Sequence, residues 1–157
     1  MIDRPTLEKL FEGAPRFLDR LERAGPFPSD DVLFHVARDI AHAMTEADQI
    51  ELIDAHPRLG APPRTVSQMS YVEQGYDRRT GTPDSEIDVA AELDRLNDAY
   101  EQRHGFRYCV FVAGRPREAL LPDMAAAIDA DRTTELHRAL DAVVDIAIDR
   151  HGKLTAR

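Results

Sequence analysis

The sequence predicts an all-α fold, a single compact domain of about eight helices over residues 1–157, and three observations predict it. Apolar residues recur at spacings of three and four along most of the chain, interrupted by helix-ending Gly and Pro. Only Arg107 to Ala113, RYCVFVA, has the Val-rich and aromatic character of a strand, and a lone strand has nothing to pair with. A chain of 157 residues is also long enough to hold one hydrophobic core without disulfides or a structural metal.

Leu7, Leu10 and Phe11, closed by Gly13, predict a first helix, and Phe17, Leu18 and Leu21 a second that ends before Gly25 and Pro26. Ser29 or Asp30 can cap a third, with Val32, Leu33, Val36, Ile40 and Met44 on its apolar side. Thr45 can cap a fourth, carrying Ile50, Leu52 and Ile53 and stopping near His56. Pro57 to Thr65 holds Pro57, Pro62 and Pro63 with Gly60, Arg58 and Arg64, so it must be a shaped loop. Ser70 stands three residues before Glu73, the spacing of a reciprocal capping box, and predicts a short helix over 70–78. Thr80 to Asp84 reads as a turn. Ile87, Ala90, Ala91, Leu93, Leu96 and Tyr100 mark a long helix that Gly105 terminates. RYCVFVA then runs as an extended, buried segment. An apolar pattern from Pro116 to Ile128 is helical with an expected kink at Pro122, and Leu136, Leu140, Val143, Val144 and Ile148 define a last helix.

Twenty Lys plus Arg against 29 Asp plus Glu leave a net charge of −9 with no compensating basic cluster. That balance disfavours nucleic acid and anionic membrane surfaces, both of which are bound through Lys and Arg. No apolar run approaches a membrane span, and the start MIDRPTLEKL has no apolar signal core. Cys109 is the sole cysteine, which excludes an intrachain disulfide and reads as a buried small hydrophobe in a reducing compartment. A cytoplasmic location is expected.

His35, Asp39 and His42 share one helical face at metal-ligand spacing, yet no further ligand accompanies them and a solvated face explains them. His137 and His151 read as surface residues of the last helix. His56 differs because it sits between a helix end and Pro57, where the helix dipole favours its protonated form and suits it to act as a general acid. The alternative is a histidine that only caps helix carbonyls. Glu73 and Gln74 carry the same two readings: partners of the Ser70 box, or groups that hold an anionic or urea-like ligand together with Ser70. Flanked by Tyr108, Val110 and Phe111, Cys109 lacks the cationic setting of a nucleophile.

AHPRLG at 55–60, SxxEQ at 70–74, LNxxY at 96–100 and GFRYCVFVAGR at 105–115, in that order and spacing, resemble the 2-oxo-4-hydroxy-4-carboxy-5-ureidoimidazoline (OHCU) decarboxylase family. The resemblance covers nearly the whole chain, through TEADQIELIDAHP to Glu135. It implies a helical, cofactor-free and metal-free homodimeric enzyme of urate breakdown that releases carbon dioxide and forms S-allantoin. It also implies that His56 is the catalytic acid and Glu73 orients His56 or the substrate hydroxyl. Pro57, Ser70, Tyr71, Val72, Glu73 and Gln74, and the backbone of Tyr108, Cys109, Val110, Phe111 and Val112, would then bind substrate. The chain differs from the fullest family pattern at Gly75 to Arg78, at His104 and at Ala113, where some members carry an arginine. Arg58, Arg64 or Arg115 are the cations that could replace it. A paralogue acting on another ureido acid and a non-catalytic helical interaction module are the alternative readings.

Overall fold

The computed structural model describes residues 2–61, 66–76 and 83–156, with the backbone alone described at 83–85. Eight helices are present among the described residues: α1 Arg4–Phe11, α2 Pro15–Ala24, α3 Asp30–Ala43, α4 Glu46–Asp54, α5 Gln68–Glu73, α6 Pro83–His104, α7 Arg117–Ile128 and α8 Arg132–Thr155. No strand occurs among these residues, and no helix among them is long and apolar enough to cross a membrane. Arg64, Asp77, Arg78 and most of the expected turn at Thr80 to Asp84 lie outside the described residues.

Two units divide the chain. The first comprises Met1–His56 and Leu136–Arg157. Helices α1, α3 and α4 begin where side-chain oxygens accept orphan N–H groups: Asp3 accepts from Thr6, Ser29 from Val32 and Thr45 from Asp48. Leu7, Leu10, Phe11, Phe17, Leu18 and Leu21 are buried from α1 and α2, with the Phe11 and Phe17 rings 4.8 Å apart. The buried face of α3 is Leu33, Phe34, Ala37 and Ala41. The expected face is rotated from this one: Val32 is exposed while Val36 and Ile40 are half-buried. The expected face favours branched residues, whereas α3 packs closely through small alanines. From α4, Gln49 is buried and donates to the carbonyls of Ala41 and His42 at 3.0 and 3.3 Å, closing the open end of α3.

Ion pairs tie the elements of this unit together. Arg20 reaches Asp48 at 2.8 Å, and Arg38 holds Asp141 and Asp145 of α8 at 2.9 and 2.7 Å. The polar stripe at His35, Asp39 and His42 is divided: His35 and Asp39 are an exposed pair, while His42 contacts Asp141 at 2.8 Å. His151 is no free surface residue, since it meets Asp30 at 3.0 Å and its ring lies 5.4 Å from that of Phe34.

The second unit is Pro57–Glu135. Here α6 packs on α7. From Glu86 onward burial begins at Leu93 and continues through Leu96, Asn97 and Tyr100, while Ile87, Ala90 and Ala91 of the expected apolar stripe are exposed. Tyr100 anchors the unit: its hydroxyl donates to Glu135 Oε1 at 2.8 Å and its ring meets those of Phe106 and Tyr108 at 5.8 and 5.1 Å. His104, at the end of α6, contacts the Ala127 carbonyl at 2.9 Å through Nε2. The segment after Gly105 is neither helix nor strand, with Tyr108, Cys109 and Val112 buried and Val110 and Phe111 half-buried. Helix α7 runs on through Pro122.

The capping box expected at Ser70 is absent. Ser67 is the N-cap of α5, accepting from the Ser70 N–H at 3.1 Å, and the helix ends at Glu73 with Gln74 as its C-cap. Capping one turn earlier satisfies the Ser70 N–H instead of that of Glu73 and places Ser70 inside the helix, 3% exposed. Gly75 at φ 80 then ends it, short of the expected residue 78. Ser67→Ala is therefore expected to cost about 1 kcal/mol in urea unfolding, the ordinary value of an N-cap oxygen. An unchanged midpoint would show that the cap contributes nothing.

Candidate functional site

His56 stands one residue past the α4 C-cap Ala55, its N–H donating to the Ile53 carbonyl at 3.1 Å. Leu52 and Ile53 carry it inward, and the residue is only 5% exposed. The imidazole is held down to about 4, first by burial and then by the positive charge of Arg150. The Glu12 carboxylate and a hydrogen bond with the Leu52 backbone pull the other way without reversing it. The expectation of a protonated, dipole-favoured imidazole is thus overturned: desolvation and a neighbouring guanidinium outweigh a helix end. His56 is neutral near pH 7 in the free protein.

Arg150 is the residue that sequence reasoning missed. Its side chain is 1% exposed, with Nη1 donating to the Lys9 carbonyl at 2.7 Å and Nη2 to Glu12 Oε1 at 2.9 Å. A signal was present. Arg150 continues the buried stripe of Val143 and Ala147 at helical spacing, and an arginine on an apolar face is buried with a reason.

In the second unit, the segment that comes after His56 and Pro57 in the chain is held by side chains. Gln74 Oε1 accepts the Gly60 N–H at 2.7 Å while its Nε2 donates to the Arg58 carbonyl at 3.1 Å. Asn97, fully buried, donates to the Leu59 carbonyl at 2.8 Å. Arg58 bonds Asp98 at 2.7 Å and Glu101 at 2.6 Å. Gly60 has φ +84, and a Cβ there would lie 3.0 Å from Leu93 Cδ1, so the turn admits glycine alone without strain. Gln74, expected beside a ligand, thus spends both ends of its amide on this loop.

Of the other expected site residues in this unit, Ser70 is buried, Tyr71 and Glu73 are half-buried, and Val72 is 39% exposed. The Tyr71 and Tyr76 rings lie 5.6 Å apart, Tyr76 donates its hydroxyl to the Ala61 carbonyl, and Arg117 sits 4.7 Å over the Tyr76 ring. Along the extended segment, Arg115 donates to the Phe111 carbonyl at 2.9 Å and to the Val112 carbonyl at 3.0 Å, and pairs with Asp123 at 3.2 Å. Ala113 is exposed with φ 53. Arg58 and Arg115, two of the cations considered for a leaving carboxylate, are therefore both committed to carboxylate partners.

Residues 4–152 match the family described as OHCU decarboxylase. The chain is 30% identical over 142 residues to the uric acid degradation bifunctional protein PucL of Bacillus subtilis, covering 90% of this chain and 28% of that protein. It therefore spans little more than a quarter of that relative. It is 29% identical over 140 residues to the 2-oxo-4-hydroxy-4-carboxy-5-ureidoimidazoline decarboxylase of Haloferax volcanii, covering 88% of this chain and 80% of the relative. A crystal structure of OHCU decarboxylase in the presence of (S)-allantoin has a like fold, with a TM-score of 0.74 at 22% identity over 97% of this chain and 99% of that one. One of (S)-allantoin synthase gives 0.66 at 17% identity over 93% and 47%.

Two outcomes are expected from the geometry. The unfolded chain takes up a proton on His56 near pH 6.5, whereas the folded chain does so only near 4. Stability due to a neutral His56 is full above about pH 6.5 and is lost as pH falls toward 4, by about 3 kcal/mol in all. Urea unfolding at pH 7 and pH 4.5 is expected to show a larger loss in the wild type than in His56→Asn; equal losses would refute it. Gln74→Glu places a carboxylate against the Arg58 carbonyl and is expected to cost about 1–3 kcal/mol by the same assay at pH 7.

Proposed function

The chain belongs to the OHCU decarboxylase family, and from that membership we propose that it decarboxylates 2-oxo-4-hydroxy-4-carboxy-5-ureidoimidazoline to S-allantoin in urate degradation. The observation that carries this reading is the family match across residues 4–152. The reaction breaks one C–C bond, releases carbon dioxide and takes up one proton. The electron pair passes into the imidazoline ring, so the protein's task is to bind, orient and supply the proton from one face.

His56 is the proton carrier in this proposal. A neutral, buried imidazole becomes more basic when a carboxylate arrives beside it, so the substrate's own charge would load the proton that is later delivered. Burial, and after it the charge of the buried Arg150, keeps His56 neutral until then. Glu73 orients the substrate hydroxyl or His56. Pro57, Ser70, Tyr71, Val72 and Gln74 shape the binding surface, Gln74 by fixing the Arg58–Gly60 loop. The backbone from Tyr108 to Val112 receives the ureido and ring amides, with N–H groups in the larger part because the Phe111 and Val112 carbonyls already accept from Arg115. A homodimer working in the cytoplasm completes the reading.

The test is chiral. Substrate is generated in situ from urate with urate oxidase and hydroxyisourate hydrolase, and circular dichroism follows the allantoin formed. Rapid appearance of the S enantiomer with the wild type, and its loss in a His56→Asn variant whose far-ultraviolet spectrum is unchanged, is the expected result. Slow racemic allantoin from the folded wild type would refute it and shift the reading to a related ureido acid.

A further inference from the structure

Helix α1 ends in an unusual way. Glu12 has φ 56 and Gly13 comes next at φ 80, two left-handed residues in succession. A single left-handed residue, usually glycine, is enough to end a helix, so the strain at Glu12 is not needed to stop α1. What the turn achieves is the delivery of a carboxylate to Arg150, at 2.9 Å from Nη2, with the Glu12 side chain only 14% exposed. The Lys9 carbonyl of the same helix takes Nη1 at 2.7 Å, so the end of α1 holds the guanidinium by two of its nitrogens.

We propose that Glu12 is a positioning residue for the reaction: from its left-handed turn it fixes the buried Arg150 guanidinium and balances that charge in the surroundings of His56. This rests on the reading of His56 as proton carrier. Among the described residues, the charges that act on the His56 imidazole are Arg150 from α8 and Glu12 from the end of α1, while α4 contributes the Leu52 backbone. Arg150 weakens the proton affinity of the imidazole and Glu12 strengthens it, so their balance decides how much the substrate carboxylate must restore. Neutralising Glu12 removes that counter-charge and loosens the hold of α1 on the guanidinium.

The experiment titrates His56 directly, following its imidazole resonances in isotope-labelled protein from pH 8 downward over the range in which the fold persists. In Glu12→Gln the onset of protonation is expected to move down by about one unit. In the allantoin assay kcat is expected to fall about tenfold with KM within about twofold, since the loss falls on proton delivery. Glu12→Gly, which removes the carboxylate while relaxing the left-handed turn, is expected to give the same shift, and Glu12→Asp, which keeps the charge, to restore most of the wild-type titration. A residue needed for stability alone would lower the melting temperature and leave His56 titration and kcat unchanged; that result in either folded variant overturns the proposal. If the wild type forms no S-allantoin yet the titration still shifts, the decarboxylase reading falls while the coupling of Glu12, Arg150 and His56 stands.

Discussion

A guanidinium cannot be buried without a carboxylate and a carbonyl to meet it, because an uncompensated charge in an apolar interior is worth several kcal/mol of instability. Arg150, 1% exposed on α8, imposes that condition on the first unit. It draws on the Lys9 carbonyl and on Glu12, and so joins the last turns of α8 to the end of α1. The left-handed backbone of Glu12 answers the same demand. So does the neutrality of His56, for a second cation cannot be accommodated near the first in a desolvated space. One buried charge thereby connects a helix end, a strained turn and the ionisation of the residue proposed to carry the proton.

A second constraint is the satisfaction of backbone groups where no helix supplies partners. In the Arg58–Gly60 segment the carbonyls of Arg58 and Leu59 and the N–H of Gly60 are met by Gln74 and Asn97. Beyond the extended segment Arg115 bonds the Phe111 and Val112 carbonyls, and at the end of α3 Gln49 closes those of Ala41 and His42. Each is a polar side chain spending its hydrogen bonds on irregular main chain. In an all-helical protein this is how a loop acquires one conformation, and a loop with one conformation is what a binding surface requires.

These devices differ in how far they can be read from sequence. Ser29 and Thr45 are legible as caps because capping is decided within four residues. Between Ser67 and Ser70 the same local rule is satisfied twice, and the structure caps α5 with Ser67 and buries Ser70. Likewise periodicity predicts α3 and α6 as helices but not the faces they bury, since Val32 and Ile87 are apolar and exposed while alanines and Asn97 are inside. Gln74 stands out within a motif, yet both of its partners, Arg58 and Gly60, are more than a dozen residues away.

The sequence by itself determined the helical class, the main helices, the non-helical buried segment around Tyr108 and Cys109 and the family, because helix period, caps and glycine stops act over a few residues and a family motif is an ordered string. Only the tertiary structure decided that His56 is neutral, that Arg150 is buried near it, and that Glu12 bears the strain of holding Arg150. Charge state and burial are set by groups brought together from positions 12, 56 and 150. Electrostatic and solvation energies depend on distance through space and not on distance along the chain.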